Sequence, residues 1–409
     1  MSLAAALAVA EVAALGLRPR DGVIAAEPVE PGEHFDAAVI ARARRYGRGQ
    51  LALGAAGAIS EAALLWALVR RRRRRPAARD ERLPAIARHG AGLSMTLAAA
   101  TLPFSALMRR RALDAGLATQ SWRGWGEDMA RTAALAAAFS ATGSVIVTAL
   151  MRRYGERWWL AAGVGAAGAA VLVTLVGPVV LEPIFNDFAP LPQGELRSEV
   201  VALARRAGVR IGEVYEVDAS RRTRAANAYV NGIGATRRVV LYDTLISTFS
   251  PGEARTVIAH ELAHVRYRDV PRLLAFVALV AAPAMRAVAR IAERLDGREA
   301  PSLEAVALAA AAVSAATGVI TRQLSRAIER RADSYSLALT DDPEAFVAFE
   351  RRVTAQNLAD PDPPRWLVGL LATHPPIVER IGTATAYARG ERPTRRPDRP
   401  TSRRTRAGS

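Results

Sequence analysis

The chain has 409 residues with neither cysteine nor lysine, and its 56 basic side chains against 39 acidic ones give a formal charge of +17. Half of it is hydrophobic (51%) and the mean hydropathy is +0.08, too apolar for an ordinary charged globular enzyme. Disulfides, thiolate metal sites and thiol nucleophiles are excluded, so a metal would have to be held by His, Asp or Glu.

The arginines lie beside apolar runs and in the C-terminal tail, with no aromatic-interleaved basic surface, which argues against a nucleic-acid partner. A spanning helix needs about 20 mostly apolar residues. In chain order the candidate spans are Leu3–Leu17 and residues 51–69, 91–108, 129–151, 158–181, 270–285 and 303–320. The first is short, but it lacks the basic lead-in and cleavage site of a signal peptide, so it is expected to be a span. Six arginines at 70–75 close the second, and Trp158 and Trp159 open the fifth in the manner of an interfacial aromatic belt. The expected fold is mainly α and polytopic, with about seven transmembrane helices. Residues 1–181 would form an N-terminal membrane domain, residues 182–388 a catalytic domain carrying the last two spans, and 389–409 a disordered Arg/Pro-rich tail.

Between the fifth and sixth spans lies a polar insert. "GELRSEVVALARRAGV" has helical periodicity, with Leu196, Val200, Leu203 and Ala207 on one side. Short β-rich runs follow at 213–218, 226–231 and 237–246, the last two joined by a turn at 232–236. "SPGEARTVIAHELAH" then opens a helix, with Ser250 as N-cap, Pro251 at the first helical position and Glu253 closing a capping box.

That helix carries His260 and His264 four apart, on one face, with Glu261 beside them. Two imidazoles so placed can hold one zinc ion, and the glutamate can act as general base toward a metal-activated water. Catalytic zinc takes three protein ligands and keeps one position open. With cysteine absent and no further histidine at short spacing, a carboxylate must supply the third; Glu329 in "SRAIERRADSYSLAL" is the candidate. Asp333, one turn on, suits a carboxylate that orients a zinc-bound imidazole. Spans six and seven form a hairpin that returns the chain to the same side, which lets Glu329 come back beside His260.

"HELAH", "SRAIERRAD" and "THPPIVERI", in this order, resemble the M48 family of membrane zinc metalloendopeptidases. "EPIFNDFAPL", "ANAYVNGIGATRRVVLYDTLI" and "GLATQSWRGW", with about seven spans, resemble the Ste24-type CAAX prenyl endopeptidases within it. The resemblance implies a gluzincin-like catalytic domain containing a small β-sheet and one Zn2+ per chain. It implies ligation by His260, His264 and Glu329, Glu261 as base and Asp333 as the orienting carboxylate. It further implies His374 near the scissile carbonyl, and Asn227 and Ala228 on an edge strand that pairs with an extended substrate. The implied partners are the lipid bilayer and a peptide or protein substrate, lipidated or membrane-embedded. HtpX-like quality control of membrane proteins is the alternative activity, and a non-enzymatic membrane scaffold is the rival of another class. An integral protein of a bacterial membrane is expected. Its sidedness stays open, because the arginine-rich loops lie opposite the zinc helices, whereas the eukaryotic relatives have a cytosol-facing catalytic side.

Overall fold

The computed structural model describes residues 3–74, 82–232 and 237–394. The tail from residue 395, most of the turn expected at 232–236, and Arg75 lie outside them. Helices dominate: α1 (Leu3–Leu17), a single turn α2 (Pro31–His34), then the long α3 (Ala37–Arg73), α4 (Leu83–Asp114), α5 (Trp122–Tyr154) and α6 (Trp158–Val180). After the insert come α9 (Pro251–Arg266), α10 (Asp269–Asp296), α11 (Leu303–Thr340), α12 (Pro343–Asn357), α13 (Arg365–Leu371) and α14 (Ile377–Ala388).

Five segments of the described residues are helical, long and apolar enough to cross a membrane. One of them, Trp122–Val180, is broken at Gly155 (φ 51°, ψ −130°), where α5 gives way to α6; Leu3–Leu17 is apolar but shorter. The outer faces agree with a lipid surround. On α6, Val164 (66%), Leu172 (60%) and Val179 (71%) are exposed, a patch that water would not tolerate. Trp158 departs from its expected interfacial role: it is buried among Ala162, Ala289 and Val147, so it is a packing residue between α6 and α10. Trp159 alone stays near the surface, with the Arg286 guanidinium 4.8 Å from its ring.

The insert holds α7 (Glu195–Arg206), α8 (Asp243–Thr248) and a four-stranded sheet. The strands are β1 (Phe188–Pro190), β2 (Glu213–Val217), β3 (Ala228–Asn231) and β4 (Arg238–Tyr242), in the order β1-β2-β4-β3. β2 and β4 run parallel; β1 and β3 are antiparallel edges. The β-run expected to reach Ile246 ends at Tyr242. Asp243 accepts the backbone N–H of Thr244 and of Ser220 on its carboxylate, and the chain turns into α8 instead. The sheet, α7 and α9 share one core around Val200, Leu203, Val239, Leu241, Ile258 and Leu262.

α11 is the axis of the molecule. Its first half packs with α1 and α10 through Ala305, Ala309 and Val313, and its second half is buried against α9, α13 and α14.

Candidate metal centre

α9 begins where the sequence says it should. Ser250 Oγ accepts the Glu253 N–H at 3.3 Å, and the Glu253 carboxylate accepts the Ser250 N–H at 2.7 Å. The helix ends at Arg266, and Arg268, with a left-handed φ of 55°, turns the chain into α10 at Asp269. α11 runs against α9, and the Ser336 hydroxyl donates to the Thr256 carbonyl at 2.6 Å.

This places three expected ligand groups around one point. His260 Nε2 lies 3.2 Å from Glu329 Oε2 and 3.3 Å from His264 Nε2, which is 3.7 Å from Glu329 Oε1. Ligands about 2.0–2.2 Å from a tetrahedral ion stand roughly 3.3–3.6 Å apart, so the three spacings fit a single zinc-sized centre. The protons agree. His264 Nδ1 is 3.0 Å from the Asp269 carboxylate, and His260 Nδ1 lies 2.9 Å from Asp333 Oδ1, though out of good hydrogen-bond alignment. Carboxylates at both Nδ1 atoms hold the protons there and leave two bare Nε2 lone pairs facing each other and a carboxylate. That arrangement is repulsive unless a proton or a metal cation lies between them. Burial works against charge on His260, yet Asp333 and Glu329 outweigh it and push its pKa up to about 10: the cage favours positive charge at its centre.

Glu261 completes the cluster, its carboxylate within 4.8 Å of the two histidines' ligand atoms. Burial pushes its pKa up against the opposing pull of His260 and His264. His374 also reaches the site, with Nε2 3.2 Å from Glu329 Oε2 and Nδ1 2.9 Å from the Thr373 hydroxyl. Burial lowers its pKa despite the neighbouring Glu329 carboxylate. Its loop is clamped by Arg326, one turn before Glu329, which donates to the Val368 and Ala372 carbonyls at 3.0 and 2.6 Å.

Asn227 and Ala228 fall at the edge expected of them. Tyr242 N–H donates to the Asn227 carbonyl at 3.1 Å, so Ala228 and Val230 turn their N–H and C=O groups away from β4. Asn227 Oδ1 caps the outward Ala228 N–H at 2.9 Å. β3 lies against α9, and Glu182 fastens it from behind, accepting from Tyr229 Oη at 2.9 Å and Asn231 Nδ2 at 3.1 Å.

Three contributors are missing from the expected set. Asp269 orients His264 and also takes Arg331 at 2.5 Å; its only sequence signal is an acid five residues after His264, past a helix break that the sequence does not announce. Arg380 grips Asp333 at 2.6 and 2.9 Å from within "THPPIVERI". On its other side it meets Glu350, which is fully buried, at 2.8 Å.

Fold and site together define a metallopeptidase whose ligand-bearing helices are continuous with a bundle of long apolar helices. The model of peptidase family M48 matches residues 190–388. An uncharacterized metalloprotease, YhfN, of Bacillus subtilis is 30% identical over 300 residues, covering 71% of this chain and 70% of that one. A rice CAAX prenyl protease 1 homolog is 28% identical over 222 residues, 52% of each chain, and the yeast CAAX prenyl protease 1 is 36% identical over 107 residues, 26% of this chain and 24% of its own. The crystal structure of S. mikatae Ste24p shares the fold, with a TM-score of 0.73, 18% identity and coverage of 93% of this chain and 96% of that one. The chain belongs to peptidase family M48, as a membrane metalloendopeptidase.

Proposed function

We propose that the protein is a zinc-dependent endopeptidase that hydrolyses an extended peptide segment at the membrane surface by direct attack of water. The carrying observation is the meeting of His260, His264 and Glu329 at tetrahedral ligand spacings, with both Nδ1 atoms turned to carboxylates. Zinc is favoured by the nitrogen–oxygen donor set, and when bound it supplies Lewis acidity that lowers the pKa of water to about 7. Glu261 accepts the attacking water's proton and passes it to the leaving amine. His374, its Nδ1 2.9 Å from the Thr373 hydroxyl, would present Nε2 to the oxyanion that develops on the scissile carbonyl. The substrate backbone would add to the β3 edge, taking the outward groups of Ala228 and Val230 and displacing the Asn227 side chain from the Ala228 N–H.

Seven membrane crossings, counting α1 and treating α5 and α6 as two, bring both ends of α9 and the C-terminal half of α11 to one interface. The substrate class is a protein or peptide presented at the bilayer. A prenylated C-terminal CAAX segment is the narrower reading, supported by the names of the eukaryotic relatives; a panel of lipidated peptides set against unfolded membrane-protein fragments separates it from quality control.

The decisive experiment removes only the base. Glu261→Gln should keep stoichiometric zinc while peptidase turnover falls about 100- to 10,000-fold. Turnover equal to that of the parent, in chelator-sensitive preparations, would end the proposal.

A further inference from the structure

The edge strand β3 is only four residues long and pairs with the sheet on one side. A strand so short needs other restraints if the outward groups of Ala228 and Val230 are to keep a fixed place beside the metal centre. On one face, Ala228 and Val230 pack into the core that holds Ile258 and Leu262 of α9. On the other, at alternate positions, Tyr229 and Asn231 meet Glu182, two residues beyond the end of α6.

Glu182 gathers donors from two strands. Its Oε2 accepts from Tyr229 Oη at 2.9 Å and from Arg238 at 3.2 Å, and its Oε1 accepts from Asn231 Nδ2 at 3.1 Å. Asn231 is not free to turn its amide round, because its Oδ1 accepts from Arg238 Nε at 2.9 Å. Arg238 also donates to the Pro178 carbonyl in the last turn of α6, and its guanidinium lies 4.9 Å from the Phe188 ring and 5.7 Å from the Tyr215 ring. Burial, with the Glu182 charge beside it, raises the Tyr229 pKa, so the phenol stays a donor. One carboxylate at the end of a membrane helix thus meets β3 and β4 directly, and β1 and β2 through Arg238.

We propose that Glu182 is a positioning residue for peptide binding: it ties the β3 edge to the C-terminal end of α6 and so sets the register in which an extended substrate meets the metal centre. The inference rests on the reading that the substrate adds to β3. Glu182 acts through Tyr229 and Asn231, whose backbone groups pair with β4 while those of Ala228 and Val230 point outward. Strand pairing binds ground state and transition state alike, so loosening it acts on KM rather than kcat.

The test exchanges amide and carboxylate in the full-length, zinc-loaded protein, assayed on an extended peptide. Glu182→Gln sets one NH2 group against that of Asn231, and should raise KM about tenfold with kcat within about twofold of the parent. Zinc content should not change, and deuterium exchange at the Tyr229 amide should quicken about tenfold. Adding Asn231→Asp to that variant faces a donor with an acceptor again, roles reversed and the ion pair with Arg238 kept, and KM should return to within about twofold of the parent. A residue that served stability alone would lower the melting temperature and leave KM where it was. KM unmoved by Glu182→Gln, or a double variant no better than the single one, overturns the proposal, while turnover by the parent leaves the peptidase reading standing. Should Glu182→Gln fail to fold, Asn231→Asp alone, which sets two carboxylates together, must raise KM, and the double variant must lower it again. A zinc-loaded parent that cleaves no peptide overturns the peptidase reading and this inference with it.

Discussion

Asp269 offers the sharpest test of how the cage is held. Its Oδ2 is 3.0 Å from His264 Nδ1, while Oδ1 takes Arg331 at 2.5 Å and Arg272 as well. In Asp269→Asn the single amide oxygen is claimed by those two guanidiniums, because an NH2 group cannot accept from them. The NH2 then faces His264 Nδ1, which must become an acceptor, and the imidazole proton moves to Nε2, the atom aimed at the metal. Loss of an outer partner costs about 10- to 100-fold in metal affinity, and inversion of the tautomer puts this variant at the upper end, about 2.7 kcal/mol. Asp269→Ala leaves the tautomer free and belongs near tenfold. Stability should rank the other way. Alanine strands the Arg331 guanidinium, whose side chain is 3% exposed, without an anion, at roughly 3–5 kcal/mol, whereas asparagine still accepts from it. Competition of apo protein against a graded chelator gives affinity, and melting of the apo forms gives stability. An asparagine variant that holds zinc within about twofold of the parent, or more tightly than the alanine variant, refutes the tautomer argument.

Two further outcomes concern the support around the cage. Burial holds the Glu350 carboxyl up at about 7 against its ordinary 4.5, opposed by Arg380 and reinforced by Asp333. The folded state therefore binds the extra proton between those values, so this group's contribution to stability is full below pH 4.5 and is lost as pH rises through 7. Glu350→Gln should remove that slope, at most about 1.4 kcal/mol per pH unit, and chemical denaturation at a series of pH values will show it; an unchanged slope would mean that Glu350 stays ionised throughout. Gly382→Ala is the second. A β-carbon there would stand 2.1 Å from the Glu27 carbonyl, and Glu27 N–H donates to the Gly382 carbonyl at 3.2 Å, so the segment cannot retreat without losing that bond. A loss of about 1–3 kcal/mol is expected, visible as a lower melting temperature, and an unshifted melt would mean the segment is not docked on α14.

What was legible in the sequence was whatever local chemistry controls. The Ser250–Glu253 box, the four-residue spacing of His260 and His264, and the return of Glu329 by a helical hairpin all depend on neighbours in the chain or on a single apolar hairpin. The rest depends on tertiary choices. Asp269 could join His264 only because Arg268 adopts a left-handed conformation, stabilised by contacts that Asp269 itself makes afterwards. Hydropathy windows marked the apolar core of α3 from residue 51, yet the helix starts at Ala37; its polar first turns are held by distant groups, as in the ion pair of Arg44 with Asp360 at 3.2 Å. Trp158 read as an interfacial anchor because its chemistry suits one, and α10 instead covers it.

The same distinction explains why the metal site sits on continuous helices rather than loops. Before any cation is considered, α9 and α11 are joined by the Ser336–Thr256 bond and by the core that Ile258 and Leu262 share with the sheet, while Arg326 fixes the His374 loop to α11. The two helices are therefore registered by packing, and the ligand atoms arrive already at ligand spacing. What remains unsatisfied is electrostatic: two lone pairs and a carboxylate converging in a buried space, with Asp333 and Asp269 preventing either imidazole from relieving the strain by changing tautomer. Preorganisation of that kind favours a cation at the centre of the site, with the Glu261 carboxylate beside it.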